Sequence, residues 1–276
     1  MRRVVVQLQG ELRQHRPIGR RKRRKAMRKM NVLVVVIGVI ALFTAGSTWL
    51  ALGGWKQIGA RFEDDASSAA AISEIRVTGR SVEVDVRPGT GTGVEIHRTV
   101  RYLNPFHAQP GPTDQIEGNV LTLRGDDACT FCVIEYSVTA PAGVRVSADV
   151  TSGSLNLNGV STVDATTTSG SITISDATGA ISARTDSGTI TGAGLRSGAV
   201  VASAKSGSIS LELAAPADVQ ATTTSGSLGV TVPSAAYRVN ATAGSGGADI
   251  RIANDPNGQY RLDLKARSGH IMLAGS

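Results

Sequence analysis

The chain has 276 residues, of which 41% are hydrophobic, 18% charged and 4% aromatic, so one or two domains fit but a large aromatic-filled core does not. Two cysteines rule out a disulfide-stapled scaffold. The net charge of +7 is not a nucleic-acid signature, because residues 1–30 hold 12 of the 29 Lys and Arg beside one acid, Glu11, leaving a body of net charge −4.

The predicted elements begin with a basic cytoplasmic tail, residues 1–30. A transmembrane helix over residues 31–55 follows. Between Lys29 and Lys56 lie 26 residues without a formal charge, including the run from Val32 to Phe43. At ~1.5 Å per residue, about 20 helical residues cross a hydrocarbon core of ~30 Å. Trp49 and Trp55 sit towards the far end, where indoles favour the headgroup layer, and the cluster Arg20–Lys25 with Arg28 and Lys29 flanks the near end. Positive charge stays inside, so the expected topology is a single-pass plasma-membrane protein with a cytoplasmic N-terminus and an extracytoplasmic body. The lipid bilayer is its first partner, and attraction to anionic headgroups accounts for the basic run without nucleic acid. A cleaved secretory signal is the competing reading. The 30-residue leader and long apolar span fit it poorly, although a start at Met27 would shorten the leader.

Residues 56–72 are small and polar, with Glu63-Asp64-Asp65, and read as a linker or short helix. From residue 73 to 276 the pattern is all-β. Ile75-Arg76-Val77, Val82-Glu83-Val84-Asp85-Val86 and Val94-Glu95-Ile96 alternate with period two, as half-buried strands do. A Ser-Gly pair then recurs with Ser at 152, 169, 187, 206, 225, 245 and 268. Six residues before each Ser is an aliphatic residue (Val146, Val163, Ile181, Val200, Val219, Val239, Leu262), and four before is Ala in all but the last, where Leu264 stands. After the Ser, apolar residues resume at plus three and plus five, as in Leu155 and Leu157 or Ile172 and Ile174. Self-similarity at this period predicts a parallel β-solenoid of stacked two-strand coils.

The last inward position before each Ser is minus two, and the step from there to plus three is odd, which turns a period-two strand over. Each Ser-Gly is therefore a corner, and Gly153, Gly170, Gly188, Gly207, Gly226, Gly246 and Gly269 are the candidate corner residues. Corners stacked ~4.8 Å apart leave little room for a Cβ. Length varies only at the other corner, where insertions carry Pro216, Pro233 and Pro256. The coil around Ser245 is degenerate and reads as a kink or weak point. The strands from Ile72 to Val146 are expected to extend the stack and cap its first end.

The segment Tyr136–Val144, followed by Ala-x-Thr-x-Ser-Gly-Ser-Ile units such as Ala165–Ile172 and Ala221–Leu228, resembles the bacterial putative-adhesin family of β-strand-repeat proteins, a domain of unknown function. The resemblance covers residues 73–276. It implies a surface-exposed, non-enzymatic β-solenoid, in some members linked to envelope-stress sensing, and it supplies no catalytic residues. The Cys129-Thr130-Phe131-Cys132 motif and the long basic leader depart from the commonest pattern.

The chemistry-bearing residues agree with a non-enzyme. His15, His97, His107 and His270 are scattered, and no zinc-protease, nucleophile-elbow or phosphate-loop motif occurs. No cofactor is expected. Asp149, Asp164, Asp176, Asp186 and Glu212 fall mostly on outward positions. Cys129 and Cys132 lie in an oxidising compartment by this topology, so a disulfide loop is the first reading, with free thiols, a zinc site shared with His97 and His107, and redox exchange as alternatives. Arg124-Gly125-Asp126 is an adhesion-type tripeptide that also arises by chance. The outward ranks Thr166, Thr168, Thr222, Thr224, Ser171, Thr173, Thr189, Thr191, Ser208 and Ser210 suit a glycan, resemble the Thr arrays of ice-binding solenoids except where Arg184, Asp186 and Lys205 spoil a regular ice match, or serve only solubility. The expected function is an interaction or adhesion module for an unknown envelope component or protein. The alternatives are a sensor relaying through the membrane helix to a cytoplasmic partner, and a polysaccharide-cleaving enzyme, which requires clustered carboxylates.

Overall fold

The computed structural model describes residues 60–102, 111–125 and 132–276, and every element in them is a strand. The tail and the membrane segment, residues 1–55, lie outside the described residues, among which no helix is long and apolar enough to cross a membrane. In chain order the first strands are β1 (Ala60–Ser68), β2 (Glu74–Gly89), β3 (Val94–Tyr102), β4 (Asp114–Glu117), β5 (Val120–Arg124) and β6 (Cys132–Pro141). The repeats follow as β7 (Arg145–Asn158), β8 (Val163–Ser175), β9 (Ile181–Ser187), β10 (Ile190–Leu195), β11 (Ala199–Ser206) and β12 (Ile209–Leu213). The last six are β13 (Asp218–Ser225), β14 (Leu228–Val232), β15 (Tyr237–Ser245), β16 (Ala248–Ile250), β17 (Tyr260–Ser268) and β18 (Ile271–Gly275).

Repeats stack in parallel and in register. Val146 pairs with Val163, Ser152 with Ser169 and Leu155 with Ile172, and the same ladder continues through Ile181 to Val200 and Ile190 to Ile209. The inward rows are the aliphatic and alanine positions of the repeat. Ile75, Val146, Ala165, Ile172, Ala183, Ile190, Ala221 and Leu273 are all buried. Val160, Ala177, Ser197 and Ala217, one from each of the connections that follow β7, β8, β10 and β12, fill the remaining side of the core.

At the first end, β2 is itself a coil bent at Gly79, and β5 with β6 forms another bent at Gly125. The antiparallel strands then close this end: β4 on β5, β3 on β6 and β1 on β3. Residues 60–68, read from the sequence as part of a linker or short helix, are thus strand β1, paired from Ala60 with Tyr102 to Ser68 with Val94. Its Phe62-Glu63-Asp64-Asp65-Ala66 stretch carries a strand alternation masked by acids on both faces.

The other end departs from chain order. β13 pairs with β17, and β17 with β15, while β14 pairs with β18, and β18 with β16. The coil of Ser268 is inserted between those of Ser225 and Ser245. The degenerate coil is therefore no internal kink but the terminal one: Val239, Ala241 and Ala243 are half-buried, and Ala248 and Ile250 are exposed.

Candidate functional site

The corner glycines form one column. From Gly170 onward a Cβ would fall on the preceding corner's carbonyl oxygen: 1.9 Å for Gly170 on Gly153, 1.9 Å for Gly188 on Gly170, 1.7 Å for Gly207 on Gly188 and 2.0 Å for Gly226 on Gly207; at Gly153 it would fall on the Val82 carbonyl oxygen of β2, at 1.8 Å. The column ends with Gly269 on Gly226 and Gly246 on Gly269, following the transposed order. Gly125 lies beneath Gly79, which is in register with Val150 rather than with the corner glycines, and its N–H donates to the Thr78 carbonyl, so the Arg124-Gly125 half of the tripeptide is spent on a bend. Asp126 lies outside the described residues.

Because the chain turns over at this column, the hydroxyl ranks fall on two different faces. On the first-strand face, Thr166, Thr168, Thr222 and Thr224 are mixed with charges. Lys205 Nζ donates to Asp186 at 2.7 Å, and Arg184 lies 4.0 Å from Asp164. Near the second corner Arg196 lies 3.3 Å from Asp176. Asp164, Asp176 and Asp186 each have a cation of their own; Asp149 is simply exposed, as is Glu212, which lies on β12 of the other face.

The second-strand face is different. Over β7, β8, β10, β12 and β14 its outward rows read Ser154 and Asn156, Ser171 and Thr173, Thr189 and Thr191, Ser208 and Ser210, then Ser227 and Gly229. All are exposed or half-exposed and none is charged. Five strands ~4.8 Å apart make these two rows a flat, uncharged band about 19 Å long, bordered by the exposed Glu212 in the next row.

Towards β2, β6, β3 and β1 the same face becomes charged and internally paired. Arg101 reaches Glu135 at 3.0 Å and Glu83 at 3.5 Å. His97 Nδ1 lies 2.6 Å from Asp65 Oδ1, an interaction that raises the imidazole pKa, and its Nε2 is 3.5 Å from Thr99 Oγ1. A hollow of about 370 Å³ beside it is lined by Asp65, Glu95, His97, Ser137 and Thr139.

Behind this face lies a buried network that the sequence reading missed. Arg98, only 2% exposed, sits in the inward row of β3 between Ile96 and Val100. Its Nε and Nη2 donate to the two carboxylate oxygens of Asp64, each at 2.7 Å, and its Nη1 donates to the Gly111 carbonyl and to Thr113 Oγ1. Thr113 also bonds the Tyr136 hydroxyl, which donates to the Arg124 carbonyl at 3.0 Å. Burial pushes the Tyr136 phenol up to about 12 against the opposing pull of these bonds. The available signal was one Arg at an inward position of an alternating strand, with an acidic run upstream to answer it.

The remaining candidates separate. Cys132 is disulfide-bonded, while Cys129 and His107 lie outside the described residues. His97 is committed to Asp65 on the outer face, and His270 lies on β18's side of the far end. Among the described residues, no group of three or more His, Cys, Asp and Glu is placed to hold a metal ion.

The Toastrack DUF4097 model matches residues 72–274. The chain belongs to this family. Its Toastrack domain is similar to several solved structures. One is a putative adhesin from Parabacteroides distasonis, with 15% identity over 78% of this chain and 97% of that one, at a TM-score of 0.43. A putative adhesin from Parabacteroides merdae shows 13% identity over 77% and 95%, at 0.40. A putative cell adhesion protein from Clostridium sporogenes shows 11% identity over 79% and 100%, at 0.38. No curated protein matches the chain.

Proposed function

We propose that this Toastrack domain is a non-catalytic adhesion or interaction module at the bacterial cell envelope, held outside the plasma membrane by the helix expected over residues 31–55. The observation that carries the reading is the segregation of charge. The first-strand face bears the ion-paired acids and bases, whereas five consecutive strands of the second face present only Ser, Thr, Asn and Gly in the two outward rows nearest the glycine column, with Glu212 in the next row and Met272 beside Gly229 on β18. A flat array of uncharged donors and acceptors, without clustered cations or large apolar anchors, suits an uncharged, hydroxyl-rich envelope polymer better than nucleic acid, lipid or a conventional protein partner.

The test is co-sedimentation of the full-length chain, in detergent, with purified envelope polysaccharide. The wild type is expected to pellet with the polymer, and Thr191→Arg with Ser210→Arg to abolish this without changing the unfolding midpoint. Unaltered pelleting by the double variant refutes the face assignment. No pelleting by the wild type refutes the ligand class.

One observation favours a second reading, an envelope-stress sensor with a cytoplasmic partner. β1 begins four residues after Lys56 and is bolted into the body through Asp64 and Arg98, so displacement of the body would be felt at the membrane-proximal chain. Pull-down with the intact chain from cytoplasmic extract, compared with a chain lacking residues 1–26, distinguishes the two.

A further inference from the structure

The transposed coil is a plug in a slot made by other parts of the chain. The inner residues of β17 and β18, Leu262, Leu264, Ala266, Ile271 and Leu273, are all 2% exposed or less. Backbone bonds hold the plug on both sides. Gly226 N–H donates to the Ser268 carbonyl and Leu228 N–H to the His270 carbonyl from one wall; the plug's own Gly269 and Ile271 N–H groups donate to Ser245 and Gly247 in the other. Arg261 N–H also donates to Asp218 at 2.7 Å.

Within the described residues a single covalent connection, residues 251–259, ties the plug to the coils it separates. That connection contains Pro256 and Gly258 and rests on the outside of the terminal coil, where Asn254 Oδ1 accepts from Val239 N–H and Asp255 N–H donates to the Tyr237 carbonyl. Both walls of the slot, β13 with β14 and β15 with β16, precede the plug in the sequence, so the plug is the last part of the slot to be supplied. All the contacts of the slot are the same whichever chain supplies the plug; only the path of residues 251–259 differs, which is the condition for exchange of an identical element between copies.

We propose that residues 260–276 are an exchangeable plug, and that the partner which fits the slot is the same segment of a second copy of this chain. Reciprocal exchange closes a dimer by joining two stacks through their own parallel ladders, with no new surface required.

The experiment uses two full-length variants with different affinity tags, Ser225→Cys and Ser268→Cys, co-expressed in one cell. Ser225 and Ser268 are register partners and both are exposed. After mild oxidation, mass spectrometry reads peptides bridging positions 225 and 268. Exchange predicts a bridged pair carrying both tags, with a share that rises with expression level as a bimolecular event does. It also predicts no such pair when Thr168→Cys, exposed and on a distant coil, replaces Ser225→Cys. The proposal is overturned if bridging occurs only inside a single chain carrying both substitutions, or equally with the Thr168 control. Absence of a bridge even in the doubly substituted chain overturns the stacking order and the proposal with it.

Discussion

Placing a side chain at Gly207 tests the corner column directly. Its φ is +145°, outside the range of L-residues, and a Cβ would lie 1.7 Å from the Gly188 oxygen, 2.8 Å from its carbon and 3.2 Å from its nitrogen. All three are backbone atoms, so no rotamer change relieves the clash, and the two coils must part by more than 1 Å at the corner. The bonds in the way are Gly188 N–H to Ser206 and Ile190 N–H to Ser208, each at 3.0 Å. Backbone strain costs ~1–3 kcal/mol and each lost hydrogen bond about 1 kcal/mol, so Gly207→Ala should cost roughly 3–5 kcal/mol, and Val more. Ser203→Val, on a half-exposed outward position between Arg184 and Thr222, should stay within about 1 kcal/mol. Urea unfolding midpoints of the full-length chain, followed by far-ultraviolet circular dichroism, provide the comparison. Equal midpoints for Gly207→Ala and Ser203→Val would refute the argument that the column, rather than strand propensity, sets the tolerance of the repeat.

Thr167 Oγ1 is buried without a partner, whereas Thr223 Oγ1 donates to the Gly207 carbonyl at 3.2 Å. Thr167→Val should therefore raise the midpoint by the equivalent of about 1 kcal/mol, and Thr223→Val should not. Removing Asp64 strands the Arg98 guanidinium in the interior and should cost ~3–5 kcal/mol. Arg98→Met returns only a carboxylate whose side chain is already 37% exposed, so it should cost less, and the double variant should resemble Arg98→Met; calorimetry ranks the three. The Tyr136 phenol titrates near 10 when unfolded and at about 12 when folded, so its contribution is complete below pH 10 and is lost as pH rises through 12. Tyr136→Phe should flatten that alkaline limb of the stability curve. Finally, Leu264→Ala should cost ~2–4 kcal/mol and Val239→Ala under about 1 kcal/mol, since the first is fully buried and the second half-buried; the reverse ranking would restore the chain-order stack.

The repeat was legible because each coil states the same pattern: aliphatic at minus six, Ala at minus four, Gly at the corner and an aliphatic pair after it. Pairings such as Ala165 with Ala183 and Ile190 with Ile209 follow from matching those positions. β1 was not legible, because a strand on an outer edge is set by its neighbour's pairing and not by its own alternation. Phe62 and Asp64 are its half-buried pair, one of them an acid, and only the buried Arg98 on β3 makes that acid favourable. The hydroxyl ranks could be listed from spacing. Their division into a charged and an uncharged face required knowing which ranks lie on each side of the glycine column.

Coil order escaped the sequence for a different reason: periodicity reports what each coil contains, not which coil lies beside it. The energetic choice is nevertheless visible. Stacking in chain order would leave Leu262, Leu264, Ile271 and Leu273 on the open end, where each stands to lose a large part of the ~1.5–3 kcal/mol gained by full burial. The transposed order exposes instead a coil whose inner row is Val239, Ala241, Ala243, Ala248 and Ile250. The added expense is longer connections, and a doubling of loop length costs only about 0.6 kcal/mol. Burial wins by several kcal/mol on this reckoning. The leucine at position 264, the one departure from alanine in its row, and the two longest insertions, which carry Pro233 and Pro256, are parts of a single arrangement: an apolar coil held inside by a small-residue coil that forms the end.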